Sequence, residues 1–119
     1  MKCKQGKLFR QSINNDFICD LRIADSLTSR ARGLLFTPPL KKSEGMLITP
    51  CNSVHTMGMN YILDIVFIDK KGYVVKVVKN LSPLRMTMKY TAASTLELIS
   101  NESSRLNIEV GQRLIWEYM

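Results

Sequence analysis

Residues 63–78 constrain this chain more than any other stretch. The run LDIVFI (63–68) is followed by Asp69, Lys70, Lys71 and Gly72, and then by YVVKVV (73–78). β-Branched and aromatic residues at this density suit a pleated strand with buried faces. Gly72 is available for the positive φ that a tight turn needs. The two runs are therefore expected to pair as an antiparallel hairpin. Apolar residues fall on both of its faces, which predicts a closed or sandwiched sheet rather than an open one.

The rest of the chain reads as short elements around that hairpin. KLFRQ (7–11) suits a first strand. Residues 16–24 alternate, with Phe17, Cys19, Leu21 and Ile23 on one face and Asp20 and Arg22 on the other. Cys19 reads there as a small core residue. Asp25 and Ser26 suit the cap of a short helix running to Leu35. Pro38 and Pro39 end it, because proline lacks an N–H and restricts the residue before it. Gly45 to Thr49 reads as a strand broken by Pro50, and Cys51, Asn52 and Ser53 as a turn. Val54 to Met59 is expected to be extended, with His55, Met57 and Met59 on one face. Asn80 to Tyr90 reads as irregular and Thr91 to Ile99 as a strand. Asn101 to Leu106 fits a short helix capped by Ser100, and Arg113 to Glu117 a closing strand. About seven strands and two short helices make this an α+β, mainly β class, with a compact, barrel-like antiparallel sheet.

Length and charge bound the function. A chain of 119 residues fits a single domain, 1–119, large enough to bury a core without disulfide or metal staples. Cys3, Cys19 and Cys51 are odd in number and show no CxxC spacing, which argues against a disulfide framework and a structural zinc site. No apolar run reaches the ~18–20 residues of a membrane span. The basic opening, MKCKQGKLFRQSINND, is not followed by an apolar core of a signal peptide. A cytoplasmic protein without a membrane span is the expectation. The net charge is +7, and the cations cluster. Lys70, Lys71, Lys76, Lys79, Arg85 and Lys89 have no acid among them between Asp69 and Glu97. Such a block either meets phosphates or an acidic partner, or stays solvated and guards strand edges. No nucleic-acid motif accompanies it, so nucleic acid is not an expected partner.

The residues with chemistry to offer gather between Glu44 and Asp69. Asp64 interrupts an apolar strand, and a buried carboxylate needs partners. It either accepts hydrogen bonds from the backbone or an arginine (Arg85 and Arg32 are candidates), or it lines a pocket with a raised pKa. His55, the only histidine, suits an acid, base, ligand or switch, or simply fastens the Cys51–Ser53 turn. Cys51, His55 and Asp64 are the candidate nucleophile, base and orienting group of a small hydrolase or transferase. Cys51, His55, Met57 and Met59 have donor types that suit a soft metal such as Cu(I), but their spacing matches no strong motif. No metal and no cofactor are expected.

The order of landmarks resembles the family known as domain of unknown function 192. They are ARGLLF (31–36), EGMLI (44–48), HTMGM (55–59), LDIVFID (63–69) with Gly72, Val74 and Val75, then Ala93 to Leu98 and Val110-Gly111. The resemblance covers about residues 16–116, with 1–15 as a basic N-terminal segment. It implies a compact, barrel-like, mostly β domain and no particular activity. Many relatives look exported, and many carry aromatic residues where Thr56, Met57 and Gly58 stand; this chain departs on both counts. Glu44, Met59, Asp64 and Gly72 match best. The combined expectation is a non-enzymatic module that binds a small ligand or a protein partner. Its pocket is expected near Glu44, His55, Met59 and Asp64, with Arg85 beside it. The alternatives are an enzyme using Cys51, His55 and Asp64, and nucleic-acid binding through residues 70–89.

Overall fold

A computed structural model of the chain describes residues 3–26, 39–56 and 61–119. Its strands are β1 (Lys4–Arg10), β2 (Asp16–Ala24), β3 (Glu44–Ile48), β4 (Ser53–His55), β5 (Leu63–Ile68), β6 (Val74–Leu81), β7 (Met86–Met88), β8 (Ser94–Ile99) and β9 (Leu114–Tyr118). One short helix, α1 (Glu102–Arg105), lies between β8 and β9. Seven strands form one sheet in the order β6-β5-β8-β3-β2-β1-β9, and β4 pairs with β7 as a separate ribbon.

The expected hairpin is the β5–β6 pair. Its turn is built from the residues that suggested it. Asp69 Oδ1 accepts the N–H groups of Lys71 and Tyr73, each at 2.9 Å. Gly72 sits at φ +95, and a Cβ there would lie 2.7 Å from the Leu114 carbonyl oxygen. Both the conformation and the close approach therefore require glycine.

Several expectations are corrected. The sheet is not closed into a barrel. Among the described residues its outer strands meet at one corner, through the isolated Tyr73–Arg113 bridge and backbone bonds there such as Leu114 N–H to the Gly72 carbonyl and Val74 N–H to the Gln112 carbonyl, each 2.8 Å. The hairpin's second apolar face is instead covered by loops and by the β4–β7 ribbon, so burial on both faces does not require closure. The sheet is also not wholly antiparallel. β2 and β3 run parallel, which the long connection over residues 25–43 permits. Among the described residues there is one helix; the expected helix 26–35 falls mostly outside them. Phe17 leaves the core face, because the register shifts between Leu8 and Phe9 and Ile18 is the extra residue. Ile18 turns inward, while Phe17 is exposed and packs edge-on against Phe9. The stretch read as irregular contains the end of β6 and all of β7.

Alternation divides the apolar residues between two clusters. The first includes Leu8, Leu21, Ile23, Leu47, Val66, Leu96 and Leu98. The second, on the other face, includes Met46, Leu63, Ile65, Phe67 and Ile48, with Val54 of the ribbon packed on it. The basic N-terminal segment is not an appendage: β1 lies between β2 and β9. Arg10 donates to the Leu106 and Asn107 carbonyl oxygens at 2.8 Å each, tying β1 to the end of α1.

Candidate functional site

The carboxyl group that drew attention in the sequence is a fastener. Asp64 is fully buried on β5, opposite Leu98 and so on the side of the first cluster. Its Oδ1 accepts the Asn80 N–H at 2.9 Å. Its Oδ2 accepts the Ser103 N–H at 3.0 Å and the Ser103 hydroxyl at 2.6 Å. Ser103 is the second residue of α1, whose N-cap residue, Asn101, makes no side-chain capping bond. Asp64 thus caps the helix from a distant strand, satisfying an N–H that the helix cannot. Ser100, expected to cap, instead donates its hydroxyl to the Asn80 side chain. Neither Arg85 nor any other cation is paired with Asp64 among the described residues.

The other residues expected around Asp64 are elsewhere. His55 is exposed on β4, in the ribbon that covers the second cluster, and so lies across the sheet from Asp64. Arg85 is exposed at the far end of the ribbon, where its backbone bonds Thr56. The Cys51 thiol donates to the Ser53 carbonyl oxygen at 3.1 Å within its own turn. Cys51, His55 and Asp64 therefore do not assemble as nucleophile, base and orienting group. Met57, Met59 and Arg32 lie outside the described residues.

Another carboxyl group is buried on the second face. Among the described residues, Thr56, Asp64, Ser94, Thr95, Glu97, Glu102 and Ser103 are the buried polar or charged ones. Six of them hydrogen-bond through their side chains. The exception is Glu97 on β8, which is 6% exposed. Burial alone raises its pKa to about 7, because the charged form loses its hydration.

Strand register places Glu97 within a row that crosses the sheet. Gln5 of β1 faces Arg22 of β2, Arg22 faces Met46 of β3, and Met46 faces Glu97, which in turn faces Ile65 of β5. Tyr61 packs against the same cluster, and its buried hydroxyl has no hydrogen-bond partner among the described residues. The Tyr61 pKa is raised by burial first and by the Glu97 charge second, while Arg22 opposes both. The three side chains therefore share one electrostatic neighbourhood. Cys3 joins it from the N-terminus, with its sulfur 4.0 Å from that of Met46.

Glu44, the expected pocket residue at the start of β3, does lie on this face. It is 3.7 Å from Arg22 across an ion pair, and it accepts the Lys41 N–H at 2.9 Å. Gln5, Asp20, Arg22, Glu44 and Met119 border an adjoining cleft of about 310 Å³. The arrangement offers a carboxyl near neutrality, a phenol hydroxyl with spare capacity and a guanidinium, set against Met46 and Ile65. Glu97 was legible in principle, since a charged residue inside STLELI (94–99) is the same signal as Asp64 inside LDIVFI.

The family model for domain of unknown function 192, described as an uncharacterized ACR, matches residues 9–116. Among solved structures, the chain is similar to a Sinorhizobium meliloti 1021 protein named as a candidate transcription regulator. The two share 18% identity and a TM-score of 0.84, over 98% of this chain and 96% of that one. It is also similar to a protein of unknown function from Novosphingobium aromaticivorans DSM 12444. There the identity is 21% and the TM-score 0.77, over 92% of this chain and 84% of that one. At such identities the likeness is one of fold. Comparison with curated protein sequences finds no match.

Proposed function

Because the chain belongs to the domain of unknown function 192 family, whose description names no activity, we propose a function from its own chemistry: a non-enzymatic module that binds a small ligand on the face carrying Glu97, Tyr61 and Arg22. The observation that carries this reading is the buried Tyr61 hydroxyl, which has no hydrogen-bond partner among the described residues, beside the Glu97 carboxyl, which is 6% exposed and makes no side-chain hydrogen bond among them. Burying such groups unsatisfied costs several kcal/mol in apolar surroundings, on the order of 2–7 for a hydroxyl or amide. Groups left in that condition are candidates for completion by a ligand. The ligand chemistry that fits is a small molecule with an amine or hydroxyl donor for Glu97 and an apolar body for Met46 and Ile65. Arg22 would hold an acceptor group on the same molecule.

Two features support a binding role over catalysis. The Cys51 thiol is engaged within its own turn, and Asp64 is saturated on the opposite face. One cation of the basic stretch is also engaged: Lys76 donates to the Met88 carbonyl oxygen at 3.0 Å and stands over the Phe67 ring. That supports a structural role for Lys76 over a place on a nucleic-acid surface.

An NMR titration with a panel of small amines, amino alcohols and hydroxy compounds tests the proposal. Binders should shift the Tyr61 ring and the β3 and β8 amides around Met46 and Glu97, and should lose affinity in Glu97→Gln. Binders that map elsewhere, or that bind Glu97→Gln equally well, would overturn it.

A further inference from the structure

The outward face of the β4–β7 ribbon carries an arrangement that the ligand site does not use. Ser53 pairs with Met88, Val54 with Thr87 and His55 with Met86. Val54 is buried in the second cluster, so alternation turns His55, Met86 and Met88 outward together. Met86 is 67% exposed and Met88 49%. Directly opposed residues have Cβ atoms about 4.5–5.5 Å apart. Residues i and i+2 on one strand are separated by roughly 7 Å. One imidazole and two flexible thioethers thus start from a single small patch.

The backbone beneath that patch is clamped at both ends. The Thr56 N–H donates to the Arg85 carbonyl oxygen at 2.8 Å. The Thr56 hydroxyl, fully buried, donates to the Ser82 carbonyl oxygen at 2.7 Å and accepts the Arg85 N–H at 2.9 Å. At the other end the Lys89 N–H donates to the Asn52 carbonyl oxygen at 3.0 Å. The register that sets His55 against Met86 is therefore held by bonds independent of those three side chains. Pre-ordering of this kind lowers the entropic cost of gathering ligands around an ion.

We propose that His55, Met86 and Met88 form a surface site for a soft monovalent metal ion of the Cu(I) or Ag(I) kind. Thioether sulfur and imidazole nitrogen are the donors such ions prefer. None of the three donors is an anion, so the filled site carries only the charge of the ion. Lys76 is bonded to Met88 itself, and Arg85 and Lys89 flank the ribbon. In that positive setting a divalent ion with no anionic ligand is disfavoured. Cys51 is not one of the three donors; its hydrogen is given to the Ser53 carbonyl oxygen within its own turn. Binding displaces water and transfers no electron.

The test is an Ag(I) titration of the full chain carrying Cys3→Ser and Cys51→Ser, which removes the two partly exposed thiols that would compete for the ion. NMR reads the His55 ring protons and the methionine ε-methyl groups. The His55, Met86 and Met88 signals should move together and saturate at one equivalent. His55→Ala and Met86→Leu should each weaken binding about tenfold or more, and Met86→Leu with Met88→Leu should abolish it. If the serine variant does not fold, the native chain is used with its accessible thiols blocked as methyl disulfides. Absence of a saturable shift at His55, or a shift unchanged by the paired leucine substitutions, would overturn the proposal.

Discussion

Asp64 and Glu97 sit on neighbouring strands, β5 and β8, and face opposite sides of one sheet. Each interrupts an apolar run, and each is almost wholly removed from water. Asp64 receives three hydrogen bonds, while Glu97 receives none among the described residues. Glu102 on α1 falls with Asp64: Arg105 and the Ser43 N–H reach its carboxylate, and the Arg105 hydrogen bond leads the effects that hold its pKa down. Burial of an acid is therefore not a mark of function by itself. What separates a fastener from a site is whether the protein completes the acid's hydrogen bonds.

The largest effect that would break this comparison is expected at Asp64. Asp64→Ala orphans the Asn80 and Ser103 N–H groups and the Ser103 hydroxyl. It should cost about 3–5 kcal/mol, taking each of the three orphaned donors near the low end of the usual range, at roughly 1–1.7. Asp64→Asn should cost about 1–3 kcal/mol, because its amide N–H₂ would face a donor. Denaturant unfolding at neutral pH measures both, and a loss below ~1 kcal/mol for alanine would remove Asp64 from its fastening role.

The next effect lies at Glu97 and appears as a pH dependence. Its folded pKa of about 7 lies above the ordinary 4.5, so the folded state holds the proton more tightly. The associated stability is fully present below pH 4.5 and is lost as pH rises toward and through 7. That shift corresponds to a fall on the order of 3 kcal/mol. Glu97→Gln should flatten the profile across this window. A native profile with no such fall would show that Glu97 has partners after all.

Smaller changes sharpen the contrast. Ser103→Ala should cost about 1–2 kcal/mol through the lost bond to Asp64, and a double-mutant cycle with Asp64→Asn should show clear coupling. Tyr61→Phe should raise stability, by about 1–3 kcal/mol, since it removes a buried hydroxyl that has no partner among the described residues. The same change should weaken any ligand that shifts the Glu97 row. A stability loss comparable to that of Ser103→Ala would place Tyr61 among the fasteners.

Local pattern carried much of the fold. The β5–β6 hairpin, its Asp69–Gly72 turn, the span of β2 and the burial of Cys19 all follow from alternation and turn chemistry. Cys19 is fully buried, and burial is the main reason its pKa rises to about 12. The candidate site was less legible, because sequence adjacency stood in for spatial proximity. His55 lies close to Asp64 in sequence, yet β4 leaves the main sheet to pair with β7, and the two residues end on opposite sides. Among the described residues of the expected pocket, Glu44 alone borders the Glu97 row, while His55 points outward from the ribbon that covers that side. The run Met86 to Met88 is too short for its period to register as a strand until β4 is beside it.

The sequence by itself determined most of the strands and, Phe17 apart, which residues of β2 turn inward, because side-chain alternation is a local property of an extended backbone. It also marked Asp64 as a carboxylate in need of partners. Tertiary structure alone decided which face each carboxyl reached and whether donors met it there. The Ser103 N–H that completes Asp64 comes from 39 residues away, and the row joining Arg22 to Glu97 crosses three strands. Those pairings depend on strand order and register, which are set by long-range packing between segments and not within any one of them.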